Sequence, residues 1–367
     1  MLKTRFLITG LAVCSSILAL SVTVLFANDF IPIKANSDDV WYHYEKIDPN
    51  ENTHGSKEFW ANANDGCQSY VLEKPSEGQI IDRDFSTNPF FASLSYLDDR
   101  YIPSIFEVNN AVYPISNGID FIYGIYPQTV VSDIALLEEL EALDQSSIDI
   151  RNGWYLYEGR YYTHIITNPV TNDVRYHNNN VIPSGGKNWF ICEPIWWTTL
   201  EDDNGDKFLL ANQILDVQRF DVESNFYMTS DIRSWLNNDF YNSAFALGNQ
   251  YIKPTLVNDN FDPDHPSDKD YNKVFLPSYQ NYTNQAYGFD PSYSEKDNAR
   301  LGKTTDYVRA SFCNLRNNFG AYFTRTPTPS TSNSAYIIND EGQIYGLTVA
   351  DDRTGARPAI TINFAIN

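Results

Sequence analysis

The pattern of hydrophobic and polar positions predicts two amphipathic helices in a chain otherwise built from short strands. Residues 132–143 place four leucines on one helical face, and Ser132 is available as the N-cap. Residues 229–245 repeat large apolar side chains at i, i+3, i+4 and i+8, with Thr229 or Ser230 as the cap. The apolar positions are Leu136, Leu137, Leu140 and Leu143 in the first helix, and Ile232, Trp235, Leu236 and Phe240 in the second.

Turn dipeptides between runs of strand-forming residues predict three hairpins, because a Gly in the second turn position permits the positive φ that a tight turn needs. Each pair of runs is then expected to form neighbouring antiparallel strands. The hairpins and their turns are residues 153–165 at Glu158-Gly159, 189–215 at Asn204-Gly205 and 334–349 at Glu341-Gly342.

Two further strands are predicted, one before the first helix and one near residue 360. Residues 121–128 alternate bulky and small side chains, and we expect this strand to stop at Pro127 because proline cannot donate to a sheet ladder. Residues 358–366 alternate more regularly, which indicates a half-buried strand beside others. Ile360, Ile362, Phe364 and Ile366 would share its buried face.

The length of the chain and the change in its composition along the sequence together predict two folded units. A chain of 367 residues exceeds the usual size of one domain. Residues 28–112 are polar and turn-rich, with short strands expected at residues 41–47, 57–63 and 68–74, whereas residues 113–367 contain the two helices. We therefore expect a small β-rich module, residues 28–112, followed by a larger domain, residues 113–367.

The first 27 residues predict export. Lys3 and Arg5 precede an uncharged apolar run, residues 6–27, which is the layout of a signal peptide. The run is also long enough to remain as a membrane anchor, and Cys14 offers a third alternative, lipidation. All three alternatives place the rest of the chain outside the cytoplasm, secreted or at the cell surface. Contact with a membrane is expected only through this segment.

Charge restricts the partners. The chain has 26 basic and 47 acidic residues, a formal net charge of −21, which repels phosphate backbones and anionic lipid. Nucleic-acid binding is therefore not expected. Four cysteines without a CxxC pair argue against a zinc ribbon and a thioredoxin-like site. We expect Cys192 and Cys313 to be buried and apolar.

Six ordered motifs resemble a bacterial family known as domain of unknown function 6273. Their order and spacing carry the resemblance, although residues 322–327 depart from the family's usual two Trp and Arg-Ser-Pro. The motifs are YGIYPQ (123–128), EPIWW (193–197), SDIRSWLNNDFYNSAF (230–245), KVFLPS (273–278), YFTRTP (322–327) and GARPAI (355–360).

The resemblance implies an α+β fold of the C-type lectin-like type, shared with formylglycine-generating enzymes, and an exported or surface-anchored protein. The family has no established catalytic residues. The formylglycine-generating reaction needs a cysteine pair that binds copper, whereas Cys313 stands alone in the last third of the chain. Residues 43–75 also resemble a small module of exported surface proteins, at His43, Gly55, Glu58, Trp60 and Tyr70, with Cys67 as the one cysteine kept.

Arginines and aromatics are the candidate ligand-binding residues. A half-buried Arg usually pairs with a carboxylate or binds backbone carbonyls, and the alternative for Arg233, Arg325 and Arg357 is a site for an anionic ligand. Tyr and Trp can stack on sugars or fill a core, and about half of the neighbouring strand aromatics Tyr161, Tyr162, Trp196 and Trp197 should be exposed. Trp196 and Trp197 are the named candidates.

Calcium is the only candidate cofactor, and otherwise none is expected. Residues 258–270 concentrate carboxylates in a Pro-rich segment, and calcium prefers such hard oxygen ligands, although acidic runs are more often solvated surface. The candidate ligands are Asp259, Asp262, Asp264, Asp268 and Asp270. The sequence DDNGD (202–206) fits a hairpin turn better than a calcium loop.

These observations predict a non-enzymatic binding or adhesion module at the cell surface. It would recognise a glycan or a surface protein through the segment of residues 255–330. The motifs HExxH, GxSxG and GxGxxG and a phosphate-binding loop are all absent from the sequence. An extracellular glycan hydrolase or transferase is the alternative from another class, and a structural scaffold without a small ligand is the third.

Overall fold

The computed structural model describes residues 30–35, 41–46, 57–62, 70–71, 107, 109–116, 120–143, 153–258, 269–316, 318–329 and 331–364. For the ranges before residue 107, only strand backbone is described. The chain divides into two compact units, Met1–Gly118 and Ile119–Asn367. The N-terminal segment of residues 1–27, with Cys14, and the side chains of His43, Gly55, Glu58, Trp60, Cys67 and Tyr70 lie outside this description.

The first unit contains an antiparallel sheet in the order β1-β2-β3-β4. The three strands predicted in this part of the chain are confirmed as β2, β3 and β4, and β1 precedes them. Their bounds are Phe30–Ala35 (β1), Trp41–Lys46 (β2), Lys57–Asn62 (β3) and Tyr70–Val71 (β4), and a short strand β5 follows at Ile115–Ser116.

The second unit is organised around an antiparallel main sheet in the order β15-β23-β10-β9-β6, with β8 on β9 and β7 on β8. The long strand β9 pairs with β8 and β6 in its first part and with β10 in its last. The bounds are Asp120–Val130 (β6), Tyr155–Tyr157 (β7), Arg160–Ile166 (β8), Lys187–Asp203 (β9), Asp206–Ala211 (β10), Val274–Phe275 (β15) and Ala359–Asn363 (β23).

The centre of the main sheet is buried on both faces, which corrects two expectations. Ala359, Ile360, Thr361 and Ile362 are consecutive and all buried, so β23 is not the half-buried strand that its alternation predicted. Tyr161 and Tyr162 are likewise adjacent and both buried, at 1% and 3% exposure. Alternation distinguishes the two faces of a strand, but it cannot reveal that both faces are covered.

Strand β6 also continues past Pro127, where we expected it to stop. Proline is accommodated because the register with β9 shifts between Pro127 and Thr129, a local irregularity that removes the need for a ladder hydrogen bond. A second shift, between Ile122 and Ile125, contains Gly124 at a φ of 70°. The strand therefore extends to Val130.

Two smaller sheets and a separate hairpin complete the second unit. One sheet has the order β11-β16-β18-β17 and the other β12-β22-β19-β20-β21, while β13 pairs with β14. The predicted hairpins at residues 153–165, 189–215 and 334–349 are confirmed. The bounds are Gln213–Ile214 (β11), Asp216–Val217 (β12), Thr255–Asn258 (β13), Lys269–Asn272 (β14), Gly302–Thr304 (β16), Leu315–Arg316 (β17), Phe319–Gly320 (β18), Tyr322–Pro327 (β19), Ser334–Ile338 (β20), Ile344–Thr348 (β21) and Gly355–Ala356 (β22).

Both predicted helices form, with differences at their ends. The first, α1 (Ile134–Glu141), is capped by Asp133 rather than Ser132. The second begins with a 3-10 turn at Tyr227–Thr229, continues as α2 (Asp231–Trp235) capped by Ser230, passes through a π-helical turn at Leu236–Phe240 and ends as α3 (Tyr241–Ala244). Two short helices were not predicted, α4 (Tyr279–Tyr282) and α5 (Asp306–Ala310).

Strands predominate over a few helices, so the expected α+β class is confirmed at that level. One buried cluster packs residues of the main sheet against residues of the smaller sheets, α4 and α5, and so holds these elements together. Its members are Leu210, Ile214, Tyr282, Phe289, Val308, Cys313, Tyr322, Ile338 and Ile344. Among the described residues, no helix is long and apolar enough to cross a membrane.

Candidate functional site

Two grooves flank the hairpin β13-β14, and both are bordered by Pro254 and Tyr271. Their volumes are about 480 Å³ and 500 Å³, within the range that small ligands occupy. We call the first the aromatic groove, lined among others by Glu201, Asp203, Phe208, Tyr271, Phe275 and Tyr287. We call the second the polar groove, lined among others by Ser230, Arg233, Ser234, Asn237, Asn238 and Lys273.

The aromatic groove has a floor of interlocked rings. Phe208 of β10 stacks on Phe275 of β15, with ring centroids 5.7 Å apart and planes 19° from parallel. Tyr287 meets Phe208 edge to face at 5.7 Å. Phe275 is buried, whereas Phe208 and Tyr287 are half-buried and keep part of their rings accessible. The strand pairings of β23 with both β10 and β15 bring Phe208 and Phe275 together.

Polar groups surround this floor. The Tyr287 hydroxyl donates to a carboxylate oxygen of Glu201 at 2.6 Å, and burial together with this bond raises the pKa of Tyr287 to about 12. Lys253 forms an ion pair with Asp206, which lowers the pKa of that carboxyl group. The groove thus presents carboxylate oxygens around an apolar face. Asp203 contributes a further carboxylate to the lining.

Arg325 is part of the lining of the aromatic groove and is 5% exposed. Its Nη1 donates to the carbonyl oxygen of Leu276 at 2.9 Å and to the side-chain oxygen of Asn281 at 3.2 Å. Asn281 is held in turn by its capping box with Ser278 at the start of α4. Arg325 therefore ties α4 to β15 and supports the groove wall.

In the polar groove, Arg233 of α2 fastens the hairpin to the helix. Its guanidinium donates to Asp270 Oδ2 at 2.6 Å, to the Asn272 side-chain oxygen at 2.6 Å and to the Met228 carbonyl oxygen at 2.7 Å. The pKa of Asp270 is lowered by the backbone N–H of Tyr271 and by Arg233. Three donors of Arg233 are thus engaged, and its charge is balanced by Asp270.

The π-helical turn places Asn237 against the same hairpin. Its side-chain oxygen accepts from the backbone N–H groups of Lys273 and Val274 at 2.8 Å and 3.3 Å. Its amide nitrogen donates to the Val274 carbonyl oxygen at 2.9 Å and to the Asn272 side-chain oxygen at 3.3 Å. The extra residue of a π-turn reorients side chains locally, and such turns recur at functional sites.

Lys273 is the other basic residue of the polar groove. Its ammonium group lies 4.1 Å from the centre of the Tyr241 ring, a cation–π contact. The side chain is exposed, and the residues that line this groove include no Asp or Glu. The aromatic groove, in contrast, is lined by three acidic residues. The two grooves therefore differ in charge although they share a wall.

Arg357 and the two tryptophans lie away from both grooves. The guanidinium of Arg357 is 6% exposed and donates to the carbonyl oxygen of Ala211 at 2.8 Å and to the Tyr322 hydroxyl at 3.1 Å. Trp197 is fully buried, and its indole N–H donates to the Tyr123 carbonyl oxygen at 2.9 Å. Trp196 is half-buried and lines neither groove. Arg357 and Trp197 are core residues, because each is satisfied by internal partners.

Four of the five proposed calcium ligands, Asp259, Asp262, Asp264 and Asp268, lie outside the described residues. The fifth, Asp270, is engaged by Arg233. Within the described part of the chain, no group of three or more His, Cys, Asp or Glu side chains is arranged to hold a metal ion. Cys192 and Cys313 are free thiols and buried, as expected.

Two carboxyl groups with a raised pKa lie elsewhere in the second unit. Burial raises the pKa of Asp216 to about 6, against the opposing effect of bonds from the Tyr126 hydroxyl at 2.5 Å and the Val217 N–H at 2.7 Å. Burial also raises the pKa of Glu193, although a bond from Thr129 and the charge of Arg160 oppose it. Neither residue lines a groove.

Sequence reasoning identified one arginine in each groove but missed the aromatic floor. Phe208 is far in sequence from Phe275 and Tyr287, and only the pairing of β10, β23 and β15 brings Phe208 and Phe275 together. Tyr271 was missed because it directly follows the Asp-rich residues 258–270, for which the sequence indicated calcium rather than an aromatic contact. The residue is nevertheless 64% exposed, and it is the aromatic residue that borders both grooves.

Residues 204–364 match the sequence model of a family described as Domain of unknown function (DUF6273). The match confirms the resemblance over this range, which contains the whole lining of the polar groove and most of the lining of the aromatic groove. The motifs at residues 123–128 and 193–197 lie before it. The comparisons found no match among curated proteins and none among solved structures.

Proposed function

We propose that this protein is an exported, non-enzymatic binding module of a bacterial cell surface, and that it recognises a glycan through the aromatic groove. The observation that carries the proposal is the accessible aromatic surface of Phe208, Tyr287 and Tyr271, framed by Glu201 and Asp203. A surface protein as partner, and an active enzyme, are the competing outcomes of the test below.

The chemistry of the aromatic groove suits a sugar ring. A pyranose has an apolar face of C–H groups, which packs on an aromatic ring, and hydroxyls at its edge, which bond to carboxylates and amides. Phe208 and Tyr287 supply the ring surface, while Glu201 and Asp203 supply carboxylate acceptors beside it. The acidic lining disfavours a ligand that places an anionic group in this groove, so the unit bound here is expected to be neutral.

Binding is favoured over catalysis by where the perturbed acids lie. An acid that protonates a glycosidic oxygen needs a raised pKa and a position beside the substrate. Among the described residues, the carboxyl groups of this kind are Asp216 and Glu193, which lie outside both grooves. In the aromatic groove, the pKa of Asp206 is instead lowered by Lys253.

The finer features of the fold and location belong to the same proposal. We propose a C-type lectin-like arrangement for the second unit, supported by the resemblance to the family and by short antiparallel strands with few helices. Export is supported by the charge and hydrophobicity pattern of residues 1–27. We expect no resident cofactor other than calcium, for which the Asp-rich residues 259–270 are the candidate ligands.

The test is a glycan and surface-protein array probed with the full-length chain, once with calcium and once with EDTA. We expect selective binding to glycans that contain a neutral pyranose unit, lost in the Tyr271→Ala variant because the exposed ring at the groove border is removed. The matched control is Tyr293→Ala, since Tyr293 is similarly exposed, at 55%, and lines neither groove. Thermal unfolding of each variant verifies that both remain folded.

Three results would contradict the proposal. Binding confined to proteins on the array would exclude a glycan ligand, and equal binding by the Tyr271 and Tyr293 variants would exclude the groove. Turnover of an array glycan, detected as released sugar, would replace the binding module by an enzyme. If EDTA changes neither binding nor thermal unfolding, calcium has no part in the function.

A further inference from the structure

We infer that the polar groove binds the carboxylate of an acidic sugar residue, in a glycan whose neutral residues occupy the aromatic groove. The inference rests on the proposed function and specifies its ligand: an oligosaccharide that contains both neutral and acidic units. The ligand would cross Tyr271, which borders both grooves. The inference depends on the contrast in charge between two adjacent grooves.

The polar groove is a local exception in an acidic chain. The formal net charge is −21, yet none of the residues that line this groove is acidic, and two are basic. Surface charges farther away than about 8 Å are largely screened at physiological salt, so the nearby groups decide what the groove attracts. The lining supplies hydroxyls, amides and two cations, and the Asp270 carboxylate beside it is paired with Arg233, so Lys273 is the cation left to attract an anionic oxygen ligand.

The two cations have different tasks. Arg233 already donates to Asp270, Asn272 and Met228, so its charge is balanced and its geometry is fixed. The contact that the structure gives the Lys273 ammonium is with the face of the Tyr241 ring. A ring face leaves donors of the ammonium group available, because its three N–H bonds point in different directions. Lys273 is therefore the group that would meet a carboxylate.

The backbone of Lys273 is held in position before any ligand arrives. The side-chain oxygen of Asn237 accepts from the backbone N–H of Lys273 at 2.8 Å. The side-chain nitrogen of Asn237 donates to the carbonyl oxygen of Val274, the next residue, at 2.9 Å. Arg233 holds β14 through Asp270, which precedes Lys273 in the chain by three residues. A held backbone reduces the conformational entropy that binding would otherwise cost.

Continuity between the grooves follows from their shared residues. Pro254 and Tyr271 are part of both linings, so a chain lying on the Tyr271 ring touches both grooves. The acidic lining of the aromatic groove disfavours an anionic unit there, while the polar groove favours one. A fully acidic polymer fits poorly on this surface, and a glycan that alternates neutral and acidic residues fits well.

The experiment compares two probes that differ only at the carboxyl carbon of each hexuronate unit. The first is a hexasaccharide of alternating N-acetylhexosamine and hexuronate units, and the second is the same compound with its carboxylates reduced to primary alcohols. Calorimetric titration of the full-length chain at 50 mM salt should give an affinity about threefold to fivefold higher for the acidic probe, the size expected of one exposed ion pair. This preference should shrink at 500 mM salt.

Variants assign the preference to Lys273. Lys273→Gln should bind both probes with the affinity of the reduced compound, and Lys273→Arg should retain the preference. Lys303→Gln is the matched control, since Lys303 is an exposed strand lysine outside both grooves, and it should behave like the unmodified chain. Tyr271→Ala should weaken binding of both probes, because the ring contacts the chain whatever its charge.

The outcomes separate the inference from the function on which it rests. Equal affinity for the two probes, or a preference that survives in Lys273→Gln, overturns the carboxylate site while Tyr271-dependent binding of the reduced probe leaves the proposed function intact. Failure of both probes to bind, together with a blank glycan array, overturns the proposed function and the inference with it.

Discussion

At the scale of single residues, Arg357 illustrates how this fold accommodates a buried cation. Its guanidinium lies 5.4 Å from the centre of the Tyr322 ring and donates to backbone carbonyls of Ala211 and Arg300. Five donors in a rigid, extended plane can reach several carbonyls that lie apart, whereas an ammonium group has three donors on one atom and cannot span them. The residue therefore joins β10, β19 and β22 rather than a ligand.

Replacing Arg357 by Lys should lower the free energy of unfolding by about 2 kcal/mol, because at least one buried carbonyl loses its donor. Thermal and denaturant unfolding measure this loss. The control is Arg316→Lys, at a side chain 69% exposed, where we expect a change below about 0.5 kcal/mol. An unchanged melting temperature for Arg357→Lys would instead indicate a role in binding.

At the scale of elements, local patterns predicted the type of each element better than its ends. Both helices and all three hairpins follow from periodicity and turn residues. The predicted end of β6 at Pro127 was wrong because the register shift that accommodates this proline depends on β9, which lies about sixty residues later in the chain. The π-turn at Leu236–Phe240 was likewise invisible, since its side-chain pattern still fits an α-helix over one turn.

The approach of β6 to the end of α3 depends on Gly124. A Cβ atom there would lie 2.6 Å from Phe245 Cε1 and 2.8 Å from the Ala244 carbonyl oxygen. The second of these is backbone and cannot rotate away. The position also has a φ of 70°, which disfavours any other residue.

Gly124→Ala should therefore destabilise the protein by more than about 2 kcal/mol. Gly185→Ala is the matched control: its φ is 74°, but a Cβ there meets nothing within 4 Å. The control should lose only the cost of the left-handed backbone, about 1 kcal/mol. Equal losses in denaturant unfolding would mean that the close packing against Phe245 and Ala244 contributes nothing.

At the scale of the whole molecule, the α+β class and part of the candidate site could be predicted from the sequence. Arg233 and Arg325 were identified from their motifs, and each lines a groove. Phe208 and Phe275 could not be identified, because their proximity is a consequence of sheet order. Trp197 lies on the buried face of β9 and its neighbour Trp196 is half-buried, and alternation alone could not tell which of the two faces inward.

Asp216 links the charge of one buried group to the stability of the folded chain. Its pKa is about 6 when folded and near the ordinary value of 3.8 when unfolded. Between these values the folded state holds a proton that the unfolded state has released, so stability contributed at this site falls as pH rises from 4 to 6. Below pH 4 both states are protonated, and above pH 6 both are ionised.

Asp216→Asn should remove this dependence. Relative to the unmodified chain, the variant should gain roughly 2–3 kcal/mol of unfolding free energy between pH 4 and pH 7, because the amide has no charge to bury. Urea unfolding at half-unit pH intervals measures the difference. A difference that stays constant across this range would show that Asp216 is ionised in the folded protein throughout.

The position of β23 has a consequence for how the second unit is made. This strand lies between β10 and β15, so it closes the main sheet although it is the last strand described in the chain. While a ribosome is still adding residues before Ala359, β10 lacks one neighbour and β15 has no partner in that sheet. The main sheet is therefore complete only once Ala359–Asn363 is available, and a chain that has formed β10 without β23 exposes an unpaired strand edge.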